Sequence, residues 1–370
     1  MMFCWAVGAA VIWTAILLLP WRPWAVSEQI SAAAPGAHSG LEDITALIPA
    51  RDEAHCITDT LQRLAAQGHL ARIVLIDDES SDGTGDLARG LGLDSLHVIS
   101  GQRPPPGWSG KLWALEQGLQ HATTPYVLLL DADISLAPGI LAALLEKLQR
   151  ESRDLVSVMA ALSMTTVWER LLIPPFIYFF KMLYPFALAN SKSPRVAAAA
   201  GGCILMRRDT LLTLGGFAAL RDALIDDCTL ARHVKSAGGS TWLGLSRDVF
   251  AARPYPSLAS IWNMVARTAF TELRYSILLL LLCTVLLVVV FVVPVVGLAS
   301  TDNTTRGLCV LVMAAMVRSY LPVLRYYDRP QLWALTLPIA ATLYLAMTWT
   351  SALRYFRGER SRWKNRTYQR

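Results

Sequence analysis

Charge is scarce in this sequence: only 17% of its 370 residues are Asp, Glu, Lys or Arg, while 54% are hydrophobic and the mean hydropathy is +0.39. A soluble chain of this length needs more charge to cover its surface, so part of it is expected to face lipid. Cysteine is sparse and unpatterned. Cys4, Cys283 and Cys309 lie in apolar runs, and Cys56, Cys203 and Cys228 are scattered through the polar part. No C-x-x-C pair occurs and the histidines stand apart, which excludes a zinc framework or a disulfide scaffold as the organising device. The thiols are expected to behave as small buried hydrophobes.

Excess positive charge gathers at the C-terminus: Arg354–Arg370 carries seven basic residues and one acid, in a chain of formal charge +6. Such a run could bind nucleic acid. Beside an apolar segment it reads instead as a juxtamembrane anchor to anionic lipid, and no nucleic-acid partner is expected.

Met1–Trp21 has no charge, and Arg22 follows it directly. A cleaved signal peptide carries its positive charge before the apolar run, so residues 1–24 are expected to form an uncleaved transmembrane anchor. Its flanking charge puts the N-terminus outside and the next domain in the cytosol, in a bacterial-type inner (cytoplasmic) membrane. The uncharged runs Ser276–Thr301 and Gln331–Leu353 are long enough to cross ~30 Å of hydrocarbon. Between them Gly307–Val317 is short and ends at Arg318. Four full spans would put the basic tail outside, against the positive-inside rule, so 308–324 is expected to be re-entrant or only partly inserted and the tail cytosolic. The C-terminal transmembrane region is therefore 276–353 and the tail 354–370, making the protein multi-pass.

Residues 25–42 are read as a linker rich in Ala, Ser and Gly. Strand and helix signals then alternate. Apolar runs at Ile44–Pro49, Ile73–Asp77, His97–Ile99 and Tyr126–Asp131 predict strands; Ile57, Leu61 and Leu64, then Leu112, Leu115 and Leu119, recur at helical spacing. This order predicts an α/β domain over 43–252, with a mostly parallel, Rossmann-like sheet and helices on both faces. Ligands of such sheets sit beyond the carboxyl ends of the strands.

Acids cluster at those ends. Asp77-Asp78-Glu79-Ser80-Ser81-Asp82-Gly83-Thr84 closes the second strand, either as a turn capped by Ser81 or Asp82 or as a ligand site. Asp131-Ala132-Asp133 closes the fourth; carboxylates two apart can share a divalent cation with a diphosphate. Asp226-Asp227 opens a predicted helix through Val234, where acids also suit the helix dipole. Together the three sites fit transfer of a sugar from a nucleotide diphosphate, with one acid as general base.

Ile48-Pro49-Ala50-Arg51-Asp52-Glu53, Asp77–Thr84, Gly110-Lys111, Asp131-Ala132-Asp133, Gly201-Gly202 and Asp226-Asp227 together resemble a family 2 glycosyltransferase of the GT-A fold, over about Asp43 to Tyr275. Trp108-Ser109-Gly110-Lys111 and Trp363-Lys364-Asn365-Arg366 further resemble its hopanoid-biosynthesis-associated branch. The resemblance implies that Pro49, Ala50, Arg51 and Glu53 line the nucleotide pocket and that Asp78 binds the base, uracil, of a UDP-sugar donor. It implies Asp131 at the ribose or diphosphate and, with Asp133, at Mg²⁺ or Mn²⁺. Lys111 would neutralise donor phosphates, or else be solvated. Gly201 and Gly202 would admit sugar or acceptor, beside Asp226, and Asp227 would be the catalytic base. Asp52 and Asp226 stand where the family often has Asn and Glu. The Gln-x-x-Arg-Trp of polymerising branches is replaced by Met264-Val265-Ala266-Arg267-Thr268, which leaves Arg267 to steady the leaving diphosphate.

Val167–Leu188, aromatic and interrupted by Pro174, Pro175 and Pro185, with Lys181, suits a segment at the membrane interface (167–188) or ordinary core packing. The segment 253–275 reads as a second interfacial helix. Both would put the site at headgroup level, in favour of a lipid acceptor. A polyprenyl-phosphate transferase, a processive polysaccharide synthase and a nucleotide-sugar-binding scaffold remain as alternatives.

Overall fold

The computed structural model describes residues 1–33, 40–221, 223, 225–358, 361–363 and 366–368. Helix α1 (Met2–Leu18) precedes the alternating part: β1 (Ile44–Ala50), α2 (Ile57–Ala65), β2 (Arg72–Asp77), α3 (Thr84–Arg89), β3 (Leu96–Ser100), α4 (Gly110–Leu119) and β4 (Tyr126–Leu130). Then come β5 (Ile134–Leu136), α5 (Ile140–Arg150), β6 (Leu155–Ala161), α6 (Val167–Leu183), α7 (Phe186–Ala189), β7 (Cys203–Arg207), α8 (Arg208–Thr213), α9 (Asp226–Ser236) and β8 (Thr241–Ala251). The remainder is α10 (Leu258–Ala266), α11 (Ala269–Glu272), α12 (Ile277–Leu287), α13 (Val293–Gly297), α14 (Asn303–Tyr326), α15 (Leu337–Phe356) and a hairpin of β9 (Ser361–Trp363) and β10 (Arg366–Tyr368).

Eight strands form one sheet in the order β3-β2-β1-β4-β7-β6-β8-β5. The first four run parallel, and every residue of β1 and β4 is buried, as apolar strands covered on both faces must be. The sheet is mixed, with only β7 and β5 running against the other strands. β7 is antiparallel to both β4 and β6, and β5 is antiparallel to β8. The reason is tertiary: α6 and α7 intervene after β6, and the chain re-enters the sheet from the opposite end. Apolar residues of α2 and α5 pack one face of the sheet, and those of α4 and α9 the other.

Part of the expected linker is pinned in place. Ile30 N donates to Leu245 O (3.0 Å), Leu245 N to Glu28 O (2.9 Å), Ala32 N to Asp248 Oδ2 (2.7 Å) and Ala33 N to Gly139 O (3.1 Å). Residues 34–39 lie outside the described part.

Among the described residues, three helical stretches are long and apolar enough to cross a membrane: Ile277–Gly297, which joins α12 to α13 through a π-helical turn, Asn303–Tyr326 and Gln331–Phe356. Helix α1 is shorter, at 17 residues or about 26 Å. The segment 308–324 lies within α14, one helix of 24 residues running through Arg318 and Pro322. The Arg318 charge does not end it, because the guanidinium lies over the Trp24 ring at 5.3 Å. The last helix ends beside the segment that enters α12. Arg354 Nη2 donates to Asn263 Oδ1 (2.7 Å), and Tyr355 stacks on Tyr275 at 4.4 Å.

Helix α6 runs unbroken through Pro174 and Pro175 and stops only before Pro185. Lys181 does not reach for a surface. It is 1% exposed, over the Phe186 ring at 3.7 Å and 3.6 Å from Glu28 Oε2; burial pushes its proton affinity down to about 8, with Glu28 opposing.

Gly139, at φ +86°, opens α5, and a Cβ there would lie 2.6 Å from Ala33 O. Gly139→Ala should therefore lower stability by about 2 kcal/mol, from left-handed strain and displacement of the pinned segment. Gly92→Ala, at φ +61° with open space around it, should cost about 1 kcal/mol. Thermal unfolding of the two variants compares them directly.

Candidate functional site

Parallel pairing of β1 and β2 places Ala50 opposite Asp77, so the loops that follow emerge side by side. They are hooked together. Arg51 Nη1 donates to Asp78 O (2.6 Å), Asp52 N to Ser80 Oγ (3.1 Å), Ser81 N to Asp52 Oδ1 (2.8 Å), Glu53 N to Thr84 Oγ1 (2.8 Å) and Ala54 N to Asp82 Oδ2 (2.9 Å). Asp52 and Glu79 sit at φ +50° and +55°, uncommon for non-glycine residues, and both lie at this junction. Asp78 is fully buried, with Arg51 Nη1 3.8 Å from its Oδ2. Gly83 holds the N-cap position of α3, and Asp82 just before it serves both sides: its Oδ1 accepts from Thr84 N (3.1 Å) in the first turn and its Oδ2 from Ala54 N in the neighbouring loop. Pro49 and Ala50 complete the end of β1.

Helix α4 is capped by Ser109, whose Oγ accepts from Leu112 N (3.3 Å), and its first turn presents Lys111. The Lys111 ammonium lies 2.6 Å from Asp131 Oδ1 and 3.9 Å from Asp226 Oδ2. These carboxylates keep Lys111 charged, against its burial. Burial and the charge of Asp133 raise the proton affinity of Asp131, and Lys111 opposes them.

Asp227 is held by two backbone donors: Gly201 N to its Oδ2 and Cys228 N to its Oδ1, each at 2.7 Å. A Cβ at Gly201 would lie 3.1 Å from that Oδ2, so glycine permits the close approach. Burial, then the neighbouring Asp226, push the Asp227 carboxyl up to about 7, while Lys111 and the two N–H groups pull the other way. Lys111, Asp131, Gly201, Asp226 and Asp227 line one recess of about 350 Å³, counting its open mouth, with apolar walls that include Phe217. Gly202 contributes its backbone; its carbonyl accepts from Asp131 N (3.0 Å).

Asp133 belongs to a second group. Arg253 Nη2 donates to Glu53 Oε2 (2.7 Å), its Nε stands 3.8 Å from Asp133 Oδ2, and Ala252 N donates to Asp133 O (2.7 Å). Sequence reasoning missed Arg253. Its only signal was its position just after the last strand of the sheet. Arg267, at the end of α10, is exposed; its charge reaches Tyr255, which also feels Asp133 and Arg253.

The side chains of Asp131 and Asp133 remain 33% and 26% exposed, and both offer hard oxygen donors. Two carboxylates with room for substrate oxygens suit Mg²⁺ or Mn²⁺. Among the described residues, the cluster with three ligand atoms close together is Glu53, His55 and Cys56. Burial and Glu53 push the Cys56 thiol up to about 12, so it keeps its proton and is a poor ligand.

Residues 45–215, a little under half of the chain, match the family model "Glycosyl transferase family 2", and the fold is GT-A. Among curated relatives, the 4,4'-diaponeurosporenoate glycosyltransferase of Staphylococcus haemolyticus is 27% identical over 119 residues, 32% of each chain. That of Staphylococcus aureus (strain MRSA252) is 31% identical over 117 residues, 31% of each. The matched part thus spans about a third of the length of these relatives. A solved structure, the mannosyltransferase PcManGT from Pyrobaculum calidifontis in complex with GDP-Man and Mn²⁺, covers 96% of this chain and 99% of its own at 18% identity and a TM-score of 0.56, a likeness of fold.

The raised proton affinity of Asp227 has a consequence for stability. The folded value, near 7, exceeds the unfolded value of about 3.9, so stability present at low pH is lost as pH rises towards 7. Asp227→Asn carries no such loss. Without metal, the thermal midpoint of Asp227→Asn relative to wild type should climb between pH 5 and 8; a constant difference would show an unperturbed carboxyl.

Proposed function

We propose that this protein is an inverting, membrane-embedded glycosyltransferase. It moves a hexosyl or N-acetylhexosaminyl group from a UDP-sugar to a hydroxyl of a lipid acceptor, in hopanoid metabolism. The observation that carries the reading is Asp227, aimed into the recess by two backbone N–H groups, with a proton affinity near 7 and with Lys111 and Asp131 beside it. A carboxylate so tuned accepts a hydroxyl proton near neutral pH. The acceptor oxygen attacks the anomeric carbon, the bond to the diphosphate breaks, and Asp227 keeps the proton.

Lys111 and Arg267 meet the charge that develops on the leaving diphosphate. Pro49, Ala50, Arg51 and Glu53 form the nucleotide pocket. Asp78 is enclosed by Arg51, so its contact with the base requires the 78–81 turn to open. Mg²⁺ or Mn²⁺ held by Asp133 and Asp131 supplies charge neutralisation when bound. Gly201, Gly202 and Asp226 border the sugar and acceptor. The relatives that glycosylate 4,4'-diaponeurosporenoate support the acceptor class, and the GDP-Man and Mn²⁺ of the PcManGT complex support a metal-assisted nucleotide sugar. We place the catalytic domain in the cytosol and the basic tail on the same side; the end of α15 against Asn263 and Tyr275, in the segment leading from the domain to α12, supports this.

Detergent-solubilised protein, offered UDP- and GDP-sugars with Mn²⁺ or Mg²⁺ and a membrane-lipid extract, should release one nucleotide in a lipid-dependent way. Asp227→Asn should reduce release about 10³-fold while still binding donor, and Asp133→Ala should lose metal dependence. Wild-type turnover in Asp227→Asn would sink the base assignment. Release without lipid, or a long polysaccharide product, would sink the acceptor class.

A further inference from the structure

Outside the recess, the most heavily used buried carboxylate is Glu169, in the first turn of α6. It is 0% exposed. Its Oε2 accepts from Thr165 N (3.0 Å), Thr165 Oγ1 (3.0 Å) and Thr166 N (2.9 Å), closing a capping box with Thr166. Its Oε1 does something a cap does not require: it accepts from Tyr255 N at 2.7 Å, 86 residues away. Burial works to raise its proton affinity, yet these donors bring it down to about 2, so both oxygens stay acceptors.

Tyr255 lies two residues beyond Arg253, between Pro254 and Pro256. The two prolines stiffen this stretch, so the position of Tyr255 N is transmitted to Arg253. Arg253 is the group that bonds Glu53 and faces Asp133, and the adjacent Ala252 N holds Asp133 O.

We propose that Glu169 is a positioning residue, whose carboxylate ties the N-terminus of α6 to the 252–256 segment and so sets Arg253 against Asp133 and Glu53 at the cation-binding end of the donor site. The inference rests on the reading of Asp133 as a metal ligand. It gives α6 a second duty: the helix proposed to lie at the membrane face also fixes the end of the site where the donor is held.

Glu169→Gln separates the two duties. Its amide oxygen can stay with the Thr165 and Thr166 donors, but its NH₂ then confronts Tyr255 N–H, donor against donor. Thr166→Ala does the converse, deleting the hydroxyl that accepts from Glu169 N (3.2 Å) and leaving the Tyr255 bond. The measurement is Mn²⁺-dependent binding of UDP, and of GDP, to the full chain in detergent. Glu169→Gln should weaken it about tenfold, as loss of an outer-shell partner does. Thr166→Ala should stay within about twofold of wild type, although both variants lower the thermal midpoint. Combined with Arg253→Gln, the Glu169→Gln effect should be far less than multiplicative, since one acts through the other. Tyr255→Pro, which removes the N–H and spares the capping box, is the second route should Glu169→Gln not fold, with the same loss expected. Equal binding in Glu169→Gln and Thr166→Ala, or multiplicative effects with Arg253→Gln, overturns the link. If Asp133→Ala keeps full Mn²⁺ dependence, the cation-site reading fails and the proposal fails with it.

Discussion

The contact on which the site depends is the ammonium of Lys111 between Asp131 and Asp226. Among the described residues, Asp131, Asp226 and Asp227 share the recess with Lys111, and Glu53 and Asp133 face Arg253. A like-charged pair ~4 Å apart at an effective dielectric near 20 costs about 4 kcal/mol, so crowded acids do not ionise freely. Asp227 and Asp131 answer by raised proton affinity, and Lys111 by staying charged although buried. The deficit of positive charge is the physical motive for a divalent cation here. It is also why the ammonium occupies the centre: a neutral residue at 111 would leave Asp131 and Asp226 facing each other.

That meeting is a product of strand direction. β1, β2 and β4 run parallel, so Arg51, Asp78 and Asp131 leave the sheet at one edge. β7 runs the other way and pairs Cys203 with Leu130, so the residues before it, Gly201 and Gly202, arrive at the edge where β4 ends. The antiparallel strand is thus what brings Gly201 N to Asp227 and Gly202 O to Asp131. A fully parallel sheet would start β7 at the far edge.

Local periodicity carries the sheet's parallel half straight from sequence to structure. Ile57, Leu61 and Leu64 do face the core, and Asp78 and Asp131 do follow strand ends, whereas Asp226 and Asp227 open α9. What was not legible is what depends on distant partners. Lys181 looks like a surface lysine until Glu28 and Phe186 close over it. Arg318 looks like the end of an apolar run until Trp24 covers its charge. Arg253 has no motif, and its meaning comes from Glu53, 200 positions earlier. The Thr166–Glu169 capping pattern is visible in sequence, whereas the Tyr255 bond that uses its second oxygen is not.

Helix α6 reverses the usual surface pattern. Its polar atoms turn inward, with Tyr178 Oη 2.9 Å from Ser319 Oγ of α14 and Tyr184 Oη donating to Glu272 Oε2 at 2.5 Å, while Val167, Trp168 and Leu183 are 65%, 39% and 54% exposed. In water this arrangement forfeits hydration at both faces. It is favourable where the outside is apolar or interfacial, since each buried hydrogen bond then replaces an unmet one and the exposed apolar side chains lose nothing. Helix α10 packs beside α6, and α15 against both. Helix α6 is therefore the element through which the apolar helices α14 and α15 and the α10 segment after the sheet pack as one unit.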